Sequence, residues 1–197
     1  MTKKRQVTPL TAQEFSDIAS DLIDELNRAA SMKTIDISPR LFSICILPGR
    51  GLSVVTTGGL HSPTEEPHKA RLLLLACGMG SAHNKTPILG AFLLYGDKDN
   101  PVFIGKTPAG LTLRARVKPR SPDDRLAIAD VDKGEPVDGR HPLDAFLIAA
   151  DPKRRKEAGK MIAESVVALR PKDGEPAVEL NPAAVADYQV MRAYGPR

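Results

Sequence analysis

The strongest constraint on how this chain can fold is a change of hydrophobic period near residue 33. Before it, Phe15, Ile18, Ala19, Leu22, Ile23, Leu26 and Ala30 recur at spacings of three and four, which lays one apolar stripe along a helix. After it, short runs rich in Ile, Val, Leu and Thr are punctuated by Pro and Gly, the pattern of strands joined by turns. A stripe on a helix followed by strands of period two asks for a helix packed on a sheet.

The helix has a marked start. Thr11-Ala12-Gln13-Glu14 has the form of a capping box, in which the Thr hydroxyl accepts an amide hydrogen and the Glu carboxylate reaches back to the first amide. Strands are expected over Ile35 to Ser38, Leu41 to Leu47 and Leu52 to Thr57, the last two joined by Pro48-Gly49-Arg50-Gly51, and Gly58 to Pro67 reads as a surface loop. Lys69 to Gly80 holds six successive apolar residues, which period alone does not assign to strand or helix; we read it as a strand. Leu89 to Tyr95 and Pro101 to Lys106 flank turn chemistry and form a second hairpin, and Leu111 to Lys118 alternates cleanly. Pro119 to Arg140 reads as loop around a brief apolar patch at Leu126 to Val131. Helices are expected at Pro142 to Ala150, from Asp151-Pro152 to about Arg170, and from Asn181-Pro182 to about Ala193.

The expected fold is therefore α+β: an N-terminal amphipathic helix, a central mainly antiparallel sheet of about six short strands built from hairpins, and C-terminal helices packed on the sheet, with all the helices covering one face of it. Residues 1–10 form a flexible basic tail. Residues 11–197 form one domain, with helix 11–31, a sheet region over 33–131 and helices over 142–194.

Aromatic residues make up only 4% of the 197, with no Trp, so the core is aliphatic and platforms for stacking bases are few. Cys45 and Cys77 lie inside apolar runs, where a free thiol behaves as a small hydrophobe and a disulfide framework is not expected. No apolar segment follows the basic N-terminus, and the longest wholly apolar run, Leu72 to Cys77, is too short to span a bilayer. A cytoplasmic address and no membrane partner are expected.

Several motifs begin and do not complete. Gly105-Lys106-Thr107 has the tail of a phosphate-binding loop, but Asn100 stands where its first glycine belongs and the intervening residues read as strand. Gly78-Met79-Gly80 is followed by His83 where a dinucleotide fingerprint needs glycine, and reads as a glycine-rich turn. Asp130-Val131-Asp132-Lys133-Gly134-Glu135 lacks the later ligands of a calcium loop and reads as a solvated turn, and Asp97 and Asp99 sit in a hairpin tip too short to wrap a metal. No cofactor or metal is expected. Of the four histidines, His61, His68 and His83 could converge if the loops on either side of a strand meet at one sheet end, with Glu65, Glu66 and Ser81 supplying further polar groups for hydrolysis.

Charge carries the remaining signal. The net charge of +4 is concentrated in Lys3, Lys4 and Arg5, in residues 111–125, and in residues 151–160. On an extended strand Arg114, Arg116 and Lys118 share a face at intervals of about 6.5–7 Å, close to the phosphate spacing of a nucleic-acid strand. Arg120 extends that run, and Lys153, Arg154, Lys156 and Lys160 add a helical patch. The expected function is a non-enzymatic binding or accessory protein whose basic face takes an anionic macromolecule, nucleic acid or acidic protein. The alternatives are a small hydrolase or ligand-binding domain using His61, His68 and His83, and a structural subunit of an oligomeric assembly.

Overall fold

A computed structural model of the chain describes residues 7–31, 38–96, 101–118, 127–132, 141–171 and 188–195. In chain order these form α1 (Ala12–Ser31), β1 (Arg40–Leu47), β2 (Gly51–Thr57), α2 (Pro67–His83), β3 (Ile88–Tyr95), β4 (Val102–Lys106), β5 (Thr112–Lys118), β6 (Ala127–Asp132), α3 (Asp144–Ala150), a single 3-10 turn (Pro152–Arg154), α4 (Arg155–Ala168) and β7 (Tyr188–Gly195). The strands make one seven-stranded sheet in the order β6-β5-β4-β3-β1-β2-β7, with every neighbouring pair antiparallel. The expected helix, antiparallel sheet and sheet-packing C-terminal helices are all present.

The capping box starts α1 as its sequence requires. The Glu14 amide donates to Thr11 Oγ1 at 3.2 Å, and the Thr11 amide donates to Glu14 Oε2 at 2.8 Å. The helix then buries Phe15, Ile18, Ala19, Leu22 and Ile23 against Phe42, Ile44, Val54, Phe92, Leu94, Phe103, Leu113 and Ala115 of the sheet. Phe15, Phe92 and Phe103 stack with centroids 4.6 and 5.0 Å apart and nearly parallel planes. Such contacts contribute about 0.5–1.5 kcal/mol each beyond the area they bury. Leu10 joins this core at 5% exposure, so the end of the expected flexible tail is anchored.

The other face of the sheet is covered as well. Leu41, Ala91, Leu93, Tyr95 and Ile104 meet Leu73, Leu74 and Leu75 of α2, Phe146 and its neighbours on α3, and Ala158 and Met161 of α4. This corrects the expectation of helices on one face only. The two-sided burial has a signature in β1 and β3, where Leu41, Phe42, Ile44 and Cys45, and then Ala91, Phe92, Leu93 and Leu94, run without polar alternation.

Four further expectations give way. Lys69 to Gly80, read as a strand, lies within α2, whose buried Ala70, Leu73, Leu74 and Gly78 follow helical spacing behind a proline in the first turn. The apolar run hid that spacing because this helix packs against α3 and α4 within the core on this face of the sheet, which leaves few of its residues fully exposed. Gly78-Met79-Gly80 is accordingly helical, not a turn: a Cβ on Gly78 would stand 2.8 Å from Ala149 Cβ and closer still to the Phe146 carbonyl oxygen, so the glycine sets how near α2 approaches α3. The apolar patch Leu126 to Val131, read as lying in a loop, supplies β6 from Ala127, which pairs with β5, and Asp130 and Asp132 are strand and not the expected solvated turn. The last expected helix is replaced over its described part by β7, which pairs with β2 from Thr57 opposite Tyr188 to Ser53 opposite Ala193. Without β7 the buried strand β2 would present a bare edge, and covering that edge overrides the local helix signal. The expected strand at 35–38 falls almost entirely outside the described residues.

Candidate functional site

The β4–β5 hairpin delivers the first of the site residues. Lys106 ends β4, and Thr107 turns the chain: its amide donates to the Leu111 carbonyl at 2.9 Å while its hydroxyl accepts the Leu111 amide at 3.1 Å. Gly110, at φ +91°, supplies the left-handed residue the turn needs. Gly105-Lys106-Thr107 is thus a strand end leading into a hairpin, with none of the strand-to-helix geometry of a phosphate loop.

Across from that hairpin α3 begins. Asp144 stands in its first turn, where a negative charge complements the helix dipole. The Lys106 ammonium reaches its Oδ1 at 2.6 Å, and both side chains are about three-quarters buried. Beside the pair, His141 is buried, and its Nδ1 accepts the Leu143 amide hydrogen at 3.2 Å. The proton of the neutral ring therefore sits on Nε2. Burial pushes this histidine down to about 4, the Lys106 charge adds to that, and Asp144 opposes it. The imidazole is neutral at physiological pH.

These residues line one cleft of about 1170 Å³ between α2, α3, α4 and the adjoining ends of β3 and β4. Arg71, Lys85, Lys106, Arg154 and Lys160 bring five cations to it, and Asp144, Asp151, Glu157 and Glu164 bring four carboxylates. Arg154 grips Glu157 through Nε at 2.8 Å and Nη2 at 2.7 Å, and Arg71 lies 4.0 Å from Glu164. The volume exceeds the few hundred to about 1,000 Å³ usual for small-ligand pockets.

The histidine cluster does not assemble. His68 stands at the second residue of α2 and His83 at its last, which separates them by about 22 Å at 1.5 Å per residue. His61 instead shares Glu66 with Lys69: its Nδ1 lies 2.6 Å from Glu66 Oε2, and Lys69 holds the other oxygen. Those two contacts, together with the nearby positive charges, hold the Glu66 carboxyl below its ordinary range. Among the described residues no group of three or more His, Cys, Asp or Glu could hold a metal ion. Sequence reasoning set aside His141 and did not single out Asp144; the proline that follows His141 and the acid opening an apolar helix were the available signals.

The basic residues divide. Arg114 lies opposite Ile104 in the β4–β5 ladder, so it projects to the face on which α2, α3 and α4 pack. The Tyr95 phenol, raised by burial, feels the opposing pull of its charge. In the same ladders Arg116 is opposite Val102 and Lys118 opposite Ala127, while Arg120 lies outside the described residues, as do Lys3, Lys4 and Arg5. On the 3-10 turn and α4, Arg154 and Lys160 turn to the cleft, whereas Lys153, Arg155 and Lys156 are exposed and do not line it. Among the described residues no helix is long and apolar enough to cross a membrane.

Comparison with protein-family models, with curated proteins and with solved structures finds no match.

Proposed function

We propose that this chain is a non-enzymatic binding or accessory module whose basic face takes an anionic macromolecule, with nucleic acid the favoured class. The observation that carries the reading is the run Lys153, Arg154, Arg155 and Lys156 at the start of α4. A cation in the first turn of a helix opposes the dipole by about 0.3–1 kcal/mol. Only Arg154 of the four has an ion-pair partner among the described residues. Lys153, Arg155 and Lys156, unpaired among the described residues and set against the local electrostatic preference of their own helix, are explained by an anion outside the chain. Arg114, directed to the same side of the sheet as α4, supports an extended footprint. Contacts of this kind go to phosphate and tolerate any sequence.

The reading belongs with a reducing, cytoplasmic setting. Cys45 and Cys77 are both free, and burial pushes both thiols up to about 11.

The test is fluorescence anisotropy with a mixed-sequence single-stranded oligonucleotide. Four phosphate contacts give a loss of affinity of about 50-fold between 50 and 200 mM salt, from a slope of about −0.7 per contact on single strands. The K153Q/R155Q/K156Q variant is expected to abolish most of that slope while raising the melting temperature, since it removes charges that oppose the α4 dipole. Salt-independent binding, or a slope untouched by the triple variant, would refute the assignment.

A further inference from the structure

The cleft between α2, α3 and α4 has a chemistry of its own, set apart from the exposed run at Lys153, Arg155 and Lys156. We propose that it binds a small organic anion with an apolar body, of the class of a medium-chain carboxylate or alkyl phosphate.

The polar rim selects the sign of the ligand. Every carboxylate that lines the cleft is already engaged. Asp144 holds Lys106 at 2.6 Å, Glu157 takes both hydrogen bonds from Arg154, Asp151 accepts the Lys153 amide at 2.9 Å, and Glu164 lies 4.0 Å from Arg71. The charged side chains of the rim left without any partner among the described residues are cationic. Lys85 and Lys160 have no ion-pair partner among the described residues. His141, with Nδ1 occupied by the Leu143 amide, keeps its Nε2 hydrogen. A rim whose unpartnered charges are cationic, with the His141 Nε2 hydrogen beside them, is complementary to an anionic head group and repels a cationic one.

The floor selects the rest of the molecule. Leu74, Ile88, Ala145, Ile148 and Met161 line the cleft below the charged groups. An apolar body laid on them gains about 25 cal/mol for each Å² removed from water. Prolines at 63, 67, 87, 108, 142 and 152 stand around the same cleft. Their fixed φ angles hold the loop and helix ends that form its rim, which limits the ordering cost of binding.

The experiment is isothermal titration calorimetry with octanoate and octyl phosphate below their micellar concentrations, against octanol and octyltrimethylammonium, with methyl NMR of Ile88, Ile148 and Met161 to locate the ligand. At least one anion is expected to bind at least about tenfold more tightly than octanol, the step that corresponds to 1.4 kcal/mol. The ammonium amphiphile is expected not to bind, and the shifts should centre on the three cleft residues. Comparison of the two anions identifies the head group. Lys85 is exposed on a turn and Lys160 exposed on α4, so the K85Q/K160Q variant folds normally; it should bind the anion about tenfold more weakly at an unchanged melting temperature. The K153Q/R155Q/K156Q variant should lose oligonucleotide binding and keep the small anion. Absence of binding by both anions, equal binding of octanol or the ammonium compound, full affinity in K85Q/K160Q, or loss of the small anion in the triple variant would each overturn the cleft assignment. Failure of the oligonucleotide alone would refute only the polyanion reading.

Discussion

Gly78 and Gly80 sit two residues apart in α2 and are expected to respond to the same substitution with opposite signs. Replacing a helical glycine by alanine removes backbone freedom from the unfolded chain and adds up to about 1 kcal/mol of stability where space allows. At Gly80 a Cβ meets nothing within 4 Å, so G80A should gain about 0.5–1 kcal/mol. At Gly78 the new carbon would fall 3.0 Å from the Ala150 amide nitrogen, 2.8 Å from Ala149 Cβ and nearer still to the Phe146 carbonyl oxygen. Two of those three atoms are backbone of α3, which cannot rotate away, so the helices must separate. Overpacking of that kind costs about 1–3 kcal/mol. Taking the upper end for a backbone clash and subtracting the propensity gain leaves G78A about 2 kcal/mol less stable than the parent. Urea titration read by circular dichroism measures both directly, and melting points should move by about 2–4 °C per kcal/mol for a chain of this size. If G78A were as stabilising as G80A, the α2–α3 crossing would not be as close as described, and the cleft those helices frame would be displaced with it.

Three further expectations are local. T11A removes the hydroxyl that accepts the Glu14 amide and should cost about 1 kcal/mol by the same titration; no change would mean the capping box is dispensable. His141 titrates near 4 when folded and near 6.5 when unfolded, so the unfolded chain binds more protons between those values. Stability from this residue is complete above pH 6.5, falls as pH drops toward 4, and levels off below, an effect of about 3 kcal/mol. H141N, whose amide oxygen can still accept the Leu143 amide, should flatten that dependence in denaturation curves at pH 7.0, 5.5 and 4.5, and an unchanged slope would assign the effect elsewhere. Cys45 and Cys77, with thiols pushed up to about 11 by burial, should resist iodoacetamide at pH 8 until the protein is unfolded, as judged by intact mass; rapid native labelling would contradict the packing.

The candidate site was legible only in fragments. Basic runs could be counted along the chain, but which cations remain unpaired depends on partners brought from elsewhere. Lys106 meets Asp144 across 38 positions, and Arg71 meets Glu164 across 93. His61, His68 and His83 looked equivalent in a linear reading because their spacing was judged around an expected strand. Once that segment is a helix, its two ends are about 22 Å apart and the cluster dissolves.

The elements legible along the chain are those whose signals are local. The capping box and stripe of α1, the Pro48-Gly49-Arg50-Gly51 hairpin, the alternation of β5 and the proline-marked start of the segment leading into α4 each rest on neighbours within a few residues, so nothing distant had to be known. Tertiary structure alone decided the rest. It made Lys69 to Gly80 a helix by packing it against α3 and α4 in the core on one face of the sheet, and it drew residues 188–195 into an edge strand because β2 had an edge to cover. It also brought Lys106, His141 and Asp144 together at one cleft. In each case the deciding free energy comes from contacts between segments far apart in the chain, and local pattern carries no record of them.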